Sequence, residues 1–237
     1  MAELLTAEGV ESGYGQVQVL WGAGLTVAAG ETVVLLGANG AGKTTLLKVL
    51  VGLMPAWKGA VHLSDADITA LRTDRRVRLG MAYMSELGVF AGLTIAENLR
   101  IGGQFVLASV LRRRIEELFA VFPDLAAKRR ALAGSLSGGQ RKMLGIAKAL
   151  AAGPRLLVMD EPSAGLSPLF VQQVISVLGR FRAGGDGLSM LIAEQNVAFL
   201  DLADRVYTLE GGRIRFQGTV AELHADDALH RAYFGLA

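Results

Sequence analysis

A glycine-rich octapeptide constrains this chain more than any other feature of its sequence. Residues 37–44 read Gly-Ala-Asn-Gly-Ala-Gly-Lys-Thr and fit the pattern G-x-x-x-x-G-K-[ST]. The short apolar run Thr32 to Leu36 precedes the octapeptide, and an amphipathic helix predicted from Thr45 to Val51 follows it. A strand that enters such a turn and continues as a helix is the context in which this pattern binds phosphate groups. A plain strand-to-helix turn would explain the glycines, but it would not explain the adjacent lysine and threonine.

The octapeptide carries the groups that a nucleoside triphosphate requires. Its glycines let consecutive backbone N–H groups turn inward around phosphate oxygens, and the following helix adds partial positive charge at its N-terminus. Lys43 can reach the β- and γ-phosphates, and Thr44 offers a hydroxyl to Mg²⁺. We therefore expect nucleotide binding by Gly37, Ala38, Asn39, Gly40, Ala41, Gly42, Lys43, Thr44 and Thr45.

A second site candidate is the pair of carboxylates that ends an apolar strand. The run Leu156 to Met159 is followed by Asp160-Glu161, and another apolar run covers Met190 to Ala193. Ser167 as N-cap and Pro168 at the first helical position mark a helix between the two runs. Strands alternating with helices predict a parallel sheet whose ligands bind at the carboxyl edge. At that edge, Asp160 can hold Mg²⁺ through water, and Glu161 can orient or deprotonate the water that attacks the phosphate. The alternative for both residues is the solvated start of a loop.

The remaining segments indicate how the chain is organised. Leu4 to Glu11 and Val17 to Val27 are expected to form antiparallel strands before the octapeptide. Thr94 to Ala152 is expected to be helical, with one helix opened by a capping box at Thr94 and Glu97. Strands at Arg205 to Leu209 and Arg213 to Gln217, and a final helix capped by Thr219 and Glu222, complete the chain.

Composition excludes several classes of function. At 237 residues, one compact unit is the default expectation. The formal net charge of +2, and the absence of any Lys/Arg run longer than three residues, such as Arg112 to Arg114, argue against nucleic acid as a partner. There is no cysteine, so disulfides and cysteine-based sites are excluded. The uncharged stretch Ser12 to Gly30 is broken by five glycines, and the first residues lack the order of a signal peptide, so a membrane link is expected through a partner.

A third motif points to a family. Leu136-Ser137-Gly138-Gly139-Gln140 opens a predicted helix that ends near Gly153-Pro154, shortly before Asp160-Glu161. Taken with the octapeptide, in this order, it resembles the nucleotide-binding domain of ABC transporters over nearly the whole chain. The resemblance implies an α/β fold with a P-loop NTPase (RecA-like) core, an antiparallel β subdomain and an inserted α-helical subdomain. It also implies a single domain over 1–237, with the helical signature subdomain at about 92–152.

The same resemblance implies ATP as the nucleotide and a dimer as the working unit. Two ABC ATPases, identical or only similar, would pair head to tail, each closing its signature segment on the ATP held by the other. A helix N-terminus with small residues suits this role, because its N–H dipoles can approach the γ-phosphate. Tyr14 matches the aromatic residue that stacks on adenine in the family; a strand aromatic in the core is the alternative. The signature residues expected at the nucleotide are Ser137, Gly138, Gly139 and Gln140.

Two positions depart from the commonest ABC pattern. Ser85-Glu86 follows the predicted strand Met81 to Met84, where the family usually has Gln, and Gln195 stands where it usually has His. Glu86 could bind Mg²⁺ or its water, and Gln195 could donate an amide hydrogen bond to the γ-phosphate but cannot become cationic. An ordinary polar loop residue is the alternative for each. The resemblance thus gives Glu161 and Gln195 as catalytic residues, and Thr44, Glu86 and Asp160 as Mg²⁺ ligands.

With Glu86 at the first of these positions and Glu194-Gln195-Asn196 at the second, the chain resembles the ATPases of branched-chain amino acid importers. The stretch Leu136 to Pro168 is similar to that subfamily too, whereas Leu87-Gly88-Val89 replaces its usual Gly-Arg-Arg. A related importer of urea or amides would look much the same. The resemblance implies a peripheral subunit on the cytoplasmic face of the membrane, which powers uptake through transmembrane permease subunits and, indirectly, a solute-binding protein.

Two other classes compete with an import motor. A nucleotide-clamped regulatory module with weak hydrolysis is open, because Gln195 cannot reproduce the usual His. DNA-repair and chromosome ATPases of the same superfamily require a long coiled-coil insertion, and the sequence has no sustained heptad stretch.

Overall fold

The computed structural model describes residues 2–85, 88–184 and 187–234. Within these residues the chain forms two β-sheets and nine α-helices. The strands are β1 (Glu3–Tyr14), β2 (Val17–Ala28), β3 (Thr32–Leu36), β4 (Lys58–Leu63), β5 (Ala66–Asp67), β6 (Met81–Met84), β7 (Leu156–Asp160), β8 (Ser189–Glu194), β9 (Arg205–Glu210) and β10 (Arg213–Gly218). The helices are α1 (Lys43–Leu50), α2 (Thr73–Arg78), α3 (Ile95–Gly102), α4 (Ala108–Val121), α5 (Pro123–Ala127), α6 (Gly138–Ala151), α7 (Pro168–Ala183), α8 (Val220–Ala225) and α9 (Asp227–Phe234).

The larger sheet has six strands in the order β10-β9-β3-β8-β7-β6. All neighbouring pairs are parallel except β9 and β10, which form an antiparallel hairpin. β3 and β7 are buried along their whole length, which is why they read as continuous apolar runs in the sequence. Since β3, β8 and β7 are adjacent, the loops that leave their carboxyl ends meet at one edge of the sheet, as predicted.

The smaller sheet is antiparallel and has the order β2-β1-β4-β5. β1 and β2 confirm the two predicted N-terminal strands, and β4, which the sequence did not reveal, pairs with β1. Leu5 of this sheet, Leu46 of α1, and Val33 and Val158 of the larger sheet share one hydrophobic core. The helix α1 is therefore packed between the two sheets.

The chain between β6 and β7 forms the inserted helical subdomain, which contains α3 to α6. The capping box predicted for its first helix is present: Glu97 N–H donates to Thr94 Oγ1 at 3.2 Å, and Thr94 N–H donates to Glu97 Oε2 at 2.7 Å. At the start of α7, Ser167 occupies the predicted N-cap position, but its side chain makes no capping hydrogen bond with the described residues. Across the described part of the chain, no helix combines the length and apolar character needed to cross a bilayer.

A buried arginine closes the end of α1. Arg76 is 2% exposed, and its guanidinium donates to the carbonyls of Val49 at 2.8 Å and Leu50 at 2.6 Å, in the last turn of that helix. It also donates to the carbonyls of Leu71 and Thr69, each at 2.9 Å. Burial lowers the pKa of Arg76 to about 10, so the group remains cationic at pH 7 and complements the helix dipole. Arg76 thus fixes α1 from the end opposite the octapeptide.

We expect Arg76→Met to lower the free energy of unfolding by about 2–4 kcal/mol, because four carbonyls lose a buried donor. Urea denaturation followed by circular dichroism measures the change. Arg75→Met is the matched control, since Arg75 is exposed on the same helix. An equal loss in both variants would contradict a special role for the buried guanidinium.

Candidate active site

The octapeptide joins β3 to α1 with backbone conformations that only glycine adopts readily. Gly40 has φ 79° and Gly42 has φ 107°, and both angles lie in the left-handed region. The helix begins at Lys43, two residues earlier than predicted, so Lys43 and Thr44 belong to its first turn. The N–H groups of this turn have no partner within the helix and point toward the octapeptide, which suits an anion.

Two neighbouring segments hold the octapeptide in place. Gly212, in the turn between β9 and β10, donates its N–H to the carbonyl of Ala41 at 2.9 Å. Gly37 donates its N–H to the carbonyl of Glu194 at 3.3 Å. A Cβ atom on Gly37 would lie 2.6 Å from the carbonyl oxygen of Leu209, so this position has no room for a side chain. The loop is therefore shaped by the sheet around it as well as by its own glycines.

Lys43 is buried against the octapeptide and reaches the acidic strand end. Its Nζ donates to the carbonyls of Gly37 at 2.8 Å and Ala38 at 3.1 Å. The same atom lies 3.1 Å from Oε1 of Glu161, whose side chain is 26% exposed. The structure therefore brings together a cation from the octapeptide and a carboxylate predicted independently from another strand.

Asp160 lies beside the threonine of the octapeptide. Thr44 Oγ1 donates to Asp160 Oδ1 at 3.1 Å, and Tyr83 donates its hydroxyl to Oδ2 at 3.1 Å. Burial raises the pKa of Asp160 and also raises that of Tyr83. A hydroxyl and a carboxylate oxygen at this spacing are the hard donors that Mg²⁺ prefers, and a buried carboxylate gains from a nearby cation, so the donor set fits the predicted metal. Glu86, the third predicted ligand, lies outside the described residues.

The backbone of Glu161 is held in an unusual conformation. Its φ is 46°, in the left-handed region that non-glycine residues seldom adopt. Glu161 donates its N–H to the carbonyl of Ala193 at 2.9 Å, and its own carbonyl accepts from Lys142 Nζ at 2.9 Å. Lys142 belongs to α6, so the helical subdomain touches the acidic strand end. Left-handed non-glycine residues held by surrounding contacts cluster at functional sites.

A cavity of about 380 Å³ lies between the three loops at this edge. Asn39 of the octapeptide, Glu161, Ser163 and Gln195 are among the residues that line it. A volume of this size is sufficient for a phosphoryl group with a water molecule, and both predicted catalytic residues line it. Chemically, the arrangement offers a carboxylate as proton acceptor and an amide as hydrogen-bond donor.

Tyr14 is placed near α1 and is not a core residue, which removes the structural alternative for it. It ends β1, is 50% exposed, and its hydroxyl accepts a hydrogen bond from Lys48 Nζ at 3.3 Å. A hydrogen bond with Thr45 lowers the pKa of Tyr14. The ring is therefore fixed beside the helix that follows the octapeptide, with half of its surface open to stack on a base.

The signature residues form a separate group. Ser137 caps α6: Gln140 N–H donates to Ser137 Oγ at 3.2 Å, and Ser137 N–H donates to Gln140 Oε1 at 3.3 Å. Gly138 lines another cavity, of about 260 Å³, together with Gly165 and Leu166. Residues 137–140 are therefore not among those that line the cavity of Glu161 and Gln195. This separation is what we expect if they act on the nucleotide of a second subunit.

The two glycines of the signature differ in their surroundings. A Cβ on Gly139 would lie 2.5 Å from the ring of Phe170 in α7, whereas a Cβ on Gly138 would meet nothing within 4 Å.

We expect Gly139→Ala to lower the free energy of unfolding by about 1–3 kcal/mol through overpacking, and Phe170→Leu to relieve part of that loss in the double variant. Gly138→Ala is the control and should cost nothing in the same urea titration. Equal costs for both glycines would contradict the contact with Phe170.

Several residues of this site were not predicted from the sequence. Tyr83, Lys142 and Gly212 owe their places to contacts between distant segments, and no local pattern marks them. Tyr83 lies in β6, which pairs with β7, so its place beside Asp160 follows from the sheet and not from the residues around it.

Comparisons with known proteins extend over almost the whole chain. A family model described as "ABC transporter" matches residues 20–164, more than half of the sequence. The high-affinity branched-chain amino acid transport ATP-binding protein BraG of Pseudomonas aeruginosa is 37% identical, covering 98% of this chain and 100% of BraG. The lipopolysaccharide export system ATP-binding protein LptB of Acidithiobacillus ferridurans is also 37% identical, covering 99% and 98%. The ADP conformation of an ATP-binding cassette of an ABC transporter matches with a TM-score of 0.86 and 26% identity over 100% of both chains.

Proposed function

Because this chain belongs to the ABC transporter family and is one of its ATPases, we propose that it powers the uptake of branched-chain amino acids through partner permeases. The observation that carries the proposal is the match with BraG at 37% identity over the full length of that protein. The segment Glu194-Gln195-Asn196, which is similar to the importer ATPases, supports it further.

ATP binding is assigned to the octapeptide. The N–H groups of residues 37–45 and the ammonium of Lys43 hold the β- and γ-phosphates, and Tyr14 stacks on adenine. The position of Lys43 among the loop carbonyls of Gly37 and Ala38 supports this role, because a phosphate in the loop would lie beside the same ammonium. Thr45 contributes its backbone at the first turn of α1.

Thr44 and Asp160 are assigned to Mg²⁺, with Glu86 as a further ligand of the metal or its water. The contact of 3.1 Å between Thr44 Oγ1 and Asp160 Oδ1 supports the pair. When bound, Mg²⁺ neutralises charge on the phosphate oxygens. Tyr83, which donates to the other carboxylate oxygen of Asp160, keeps that group oriented toward Thr44.

Hydrolysis is assigned to Glu161 and Gln195. Glu161 accepts a proton as a water oxygen attacks the γ-phosphorus, the bond to the β-phosphate oxygen breaks, and ADP leaves with the electron pair. Gln195 donates an amide hydrogen bond to a γ-phosphate oxygen, which leaves the phosphate charge in place because the amide is neutral. Both side chains line the cavity of about 380 Å³, in support of a shared step.

The working unit is proposed to be a head-to-tail dimer of ABC ATPases. Residues Ser137 to Gln140 of each subunit close on the ATP held by the other, and the N–H groups at the start of α6 approach the γ-phosphate. Within each subunit, residues 1–237 form one nucleotide-binding domain with the helical signature subdomain at about 92–152. The dimer is peripheral to the cytoplasmic face of the membrane, where it contacts transmembrane permeases and, through them, a solute-binding protein.

Lipopolysaccharide export is a second candidate, because LptB is as similar to this chain as BraG is. Both candidates share the ATP site and differ only in the membrane partner and cargo. The choice between them therefore depends on the transported molecule.

Reconstitution with membrane partners tests the proposal. The chain would be purified with permeases that co-purify from its own cells, and placed in proteoliposomes with ATP on the side of the ATPase. Uptake of radiolabelled leucine, valine or isoleucine that depends on ATP and on the solute-binding protein supports import. If lipopolysaccharide stimulates ATP hydrolysis and amino acids do not, the import proposal is wrong and lipopolysaccharide export is the function supported.

A further inference from the structure

Glu194 is a buried carboxylate that the proposed chemistry does not use. It is the last residue of β8 and is 2% exposed. Its Oε1 accepts the N–H of Ser163 at 2.7 Å, and its Oε2 accepts the N–H groups of Gln195 at 3.0 Å and Asn196 at 3.2 Å. A carboxylate removed from water needs hydrogen-bond donors, and here three backbone N–H groups supply them. We call this arrangement the Glu194 bridge.

The bridge joins loops that leave different strands. Ser163 lies two residues after Glu161, in the loop that leaves β7, whereas Gln195 opens the loop that leaves β8. The backbone carbonyl of Glu194 also accepts the N–H of Gly37, at the start of the octapeptide. One residue therefore contacts all three segments that line the cavity of about 380 Å³.

The bond to Ser163 separates this arrangement from an ordinary local turn. Bonds from Glu194 to the N–H groups of Gln195 and Asn196 are local, and a loop can form them alone. The bond to Ser163 spans 31 positions and is the shortest of the three. A side chain that needed only a local cap would not reach across to the neighbouring strand end.

We infer that Glu194 is a positioning residue for ATP hydrolysis, whose carboxylate fixes the loop of Glu161 relative to the loop of Gln195. The inference rests on the proposed roles of Glu161 and Gln195. It assigns Glu194 no contact with the nucleotide and no proton transfer. Its effect is to keep the proton acceptor and the amide donor at one spacing while the γ-phosphate reacts.

The chemistry of the bridge requires a carboxylate of this length. In Glu194→Gln, one acceptor oxygen becomes an NH₂ group that faces an N–H donor, so at least one of the two loops is released. In Glu194→Asp, the charge remains but the side chain is one methylene shorter and cannot span both loops. ATP affinity should persist in both variants, because Glu194 contacts the octapeptide only through its backbone carbonyl.

The test measures the bridge and its catalytic effect separately in the full chain. Hydrogen exchange resolved by NMR reports the amides of Ser163, Gln195 and Asn196, and steady-state phosphate release gives kcat and KM. We expect Glu194→Gln to speed exchange at the amides of the released loop by at least about 10-fold, with the amide of Gly37 unaffected. We expect kcat to fall by about 10- to 100-fold with KM nearly unchanged, as for a misplaced catalytic group.

The control variant is Glu210→Gln, which makes the same chemical change at the exposed end of β9. Its amide exchange rates and its kcat should match those of the wild type. Unchanged exchange in Glu194→Gln overturns the bridge, and faster exchange with unchanged kcat overturns the positioning role. Glu194→Asp replaces the Gln variant in both measurements if that variant does not fold. A wild-type protein without hydrolysis would refute the proposed function, while the exchange rates would still decide whether the bridge exists.

Discussion

We expect Glu161→Gln to lower kcat for ATP hydrolysis by about 1,000-fold, while ATP stays bound and an ATP-bound dimer accumulates. The amide has nearly the size of the carboxylate but cannot accept the proton of the attacking water. It also removes the negative charge that lies 3.1 Å from Lys43 Nζ, so the lysine keeps its full attraction for phosphate. Phosphate release with Mg²⁺-ATP measures the rate, and light scattering after size exclusion measures the dimer.

The control for Glu161→Gln is Glu8→Gln, at an exposed position of β1. It makes the same chemical change far from the cavity and should leave the rate of hydrolysis as it is. Phosphate release at the wild-type rate in Glu161→Gln would remove Glu161 from its proposed role. A slow variant that also fails to bind ATP would indicate damage to the octapeptide instead of loss of a base.

We expect Lys43→Ala to raise the Kd for Mg²⁺-ATP by at least about 100-fold. Lys43 is 4% exposed and is the cation that the octapeptide surrounds with its carbonyls. Alanine leaves the phosphate charge without this partner in a site with little access to water, where ion pairs are strongest. Isothermal titration calorimetry on the folded protein gives the affinity directly.

The control for Lys43→Ala is Lys58→Ala, because Lys58 is an exposed lysine of β4 that pairs with Glu11 at 3.2 Å. Its loss should leave the affinity for Mg²⁺-ATP unchanged. A thermal melt of each variant shows whether the fold survives, since Lys43 also ties the octapeptide together. ATP uptake that persists in a folded Lys43→Ala variant would refute the phosphate site on which the proposed function depends.

The parts of the fold that local sequence encodes were predicted well. The apolar run Thr32 to Leu36 became a fully buried strand, and the capping boxes at Thr94 and Thr219 start helices as expected. The helix at Thr219 was wrongly predicted to be the last one, because α9 follows it. These features depend on residues within four positions of one another, so the sequence displays them directly. The strand β4 was missed because its residues, Lys58 to Leu63, alternate only weakly and its pairing with β1 is a long-range contact.

At the candidate site, the sequence predicted which segments would meet, but it did not predict the residues that hold them together. The octapeptide and the pair Asp160-Glu161 carry distinctive residue types, so their meeting at one sheet edge could be expected. Lys142 and Glu194 act through backbone groups of other segments, and a backbone partner leaves no mark on the sequence. The left-handed backbone conformation of Glu161 could not be predicted either, because glutamate, unlike glycine, seldom adopts it.

The position of β8 between β3 and β7 has a consequence for synthesis of the protein. The octapeptide leaves the ribosome early, but the strand that links it to Glu161 is translated some hundred and fifty residues later. Until β8 emerges, the six-stranded sheet cannot form as one unit, because β8 is the strand that pairs with both β3 and β7. Since the octapeptide follows β3 and Glu161 follows β7, we expect this edge of the sheet to be completed only after β8 has been translated.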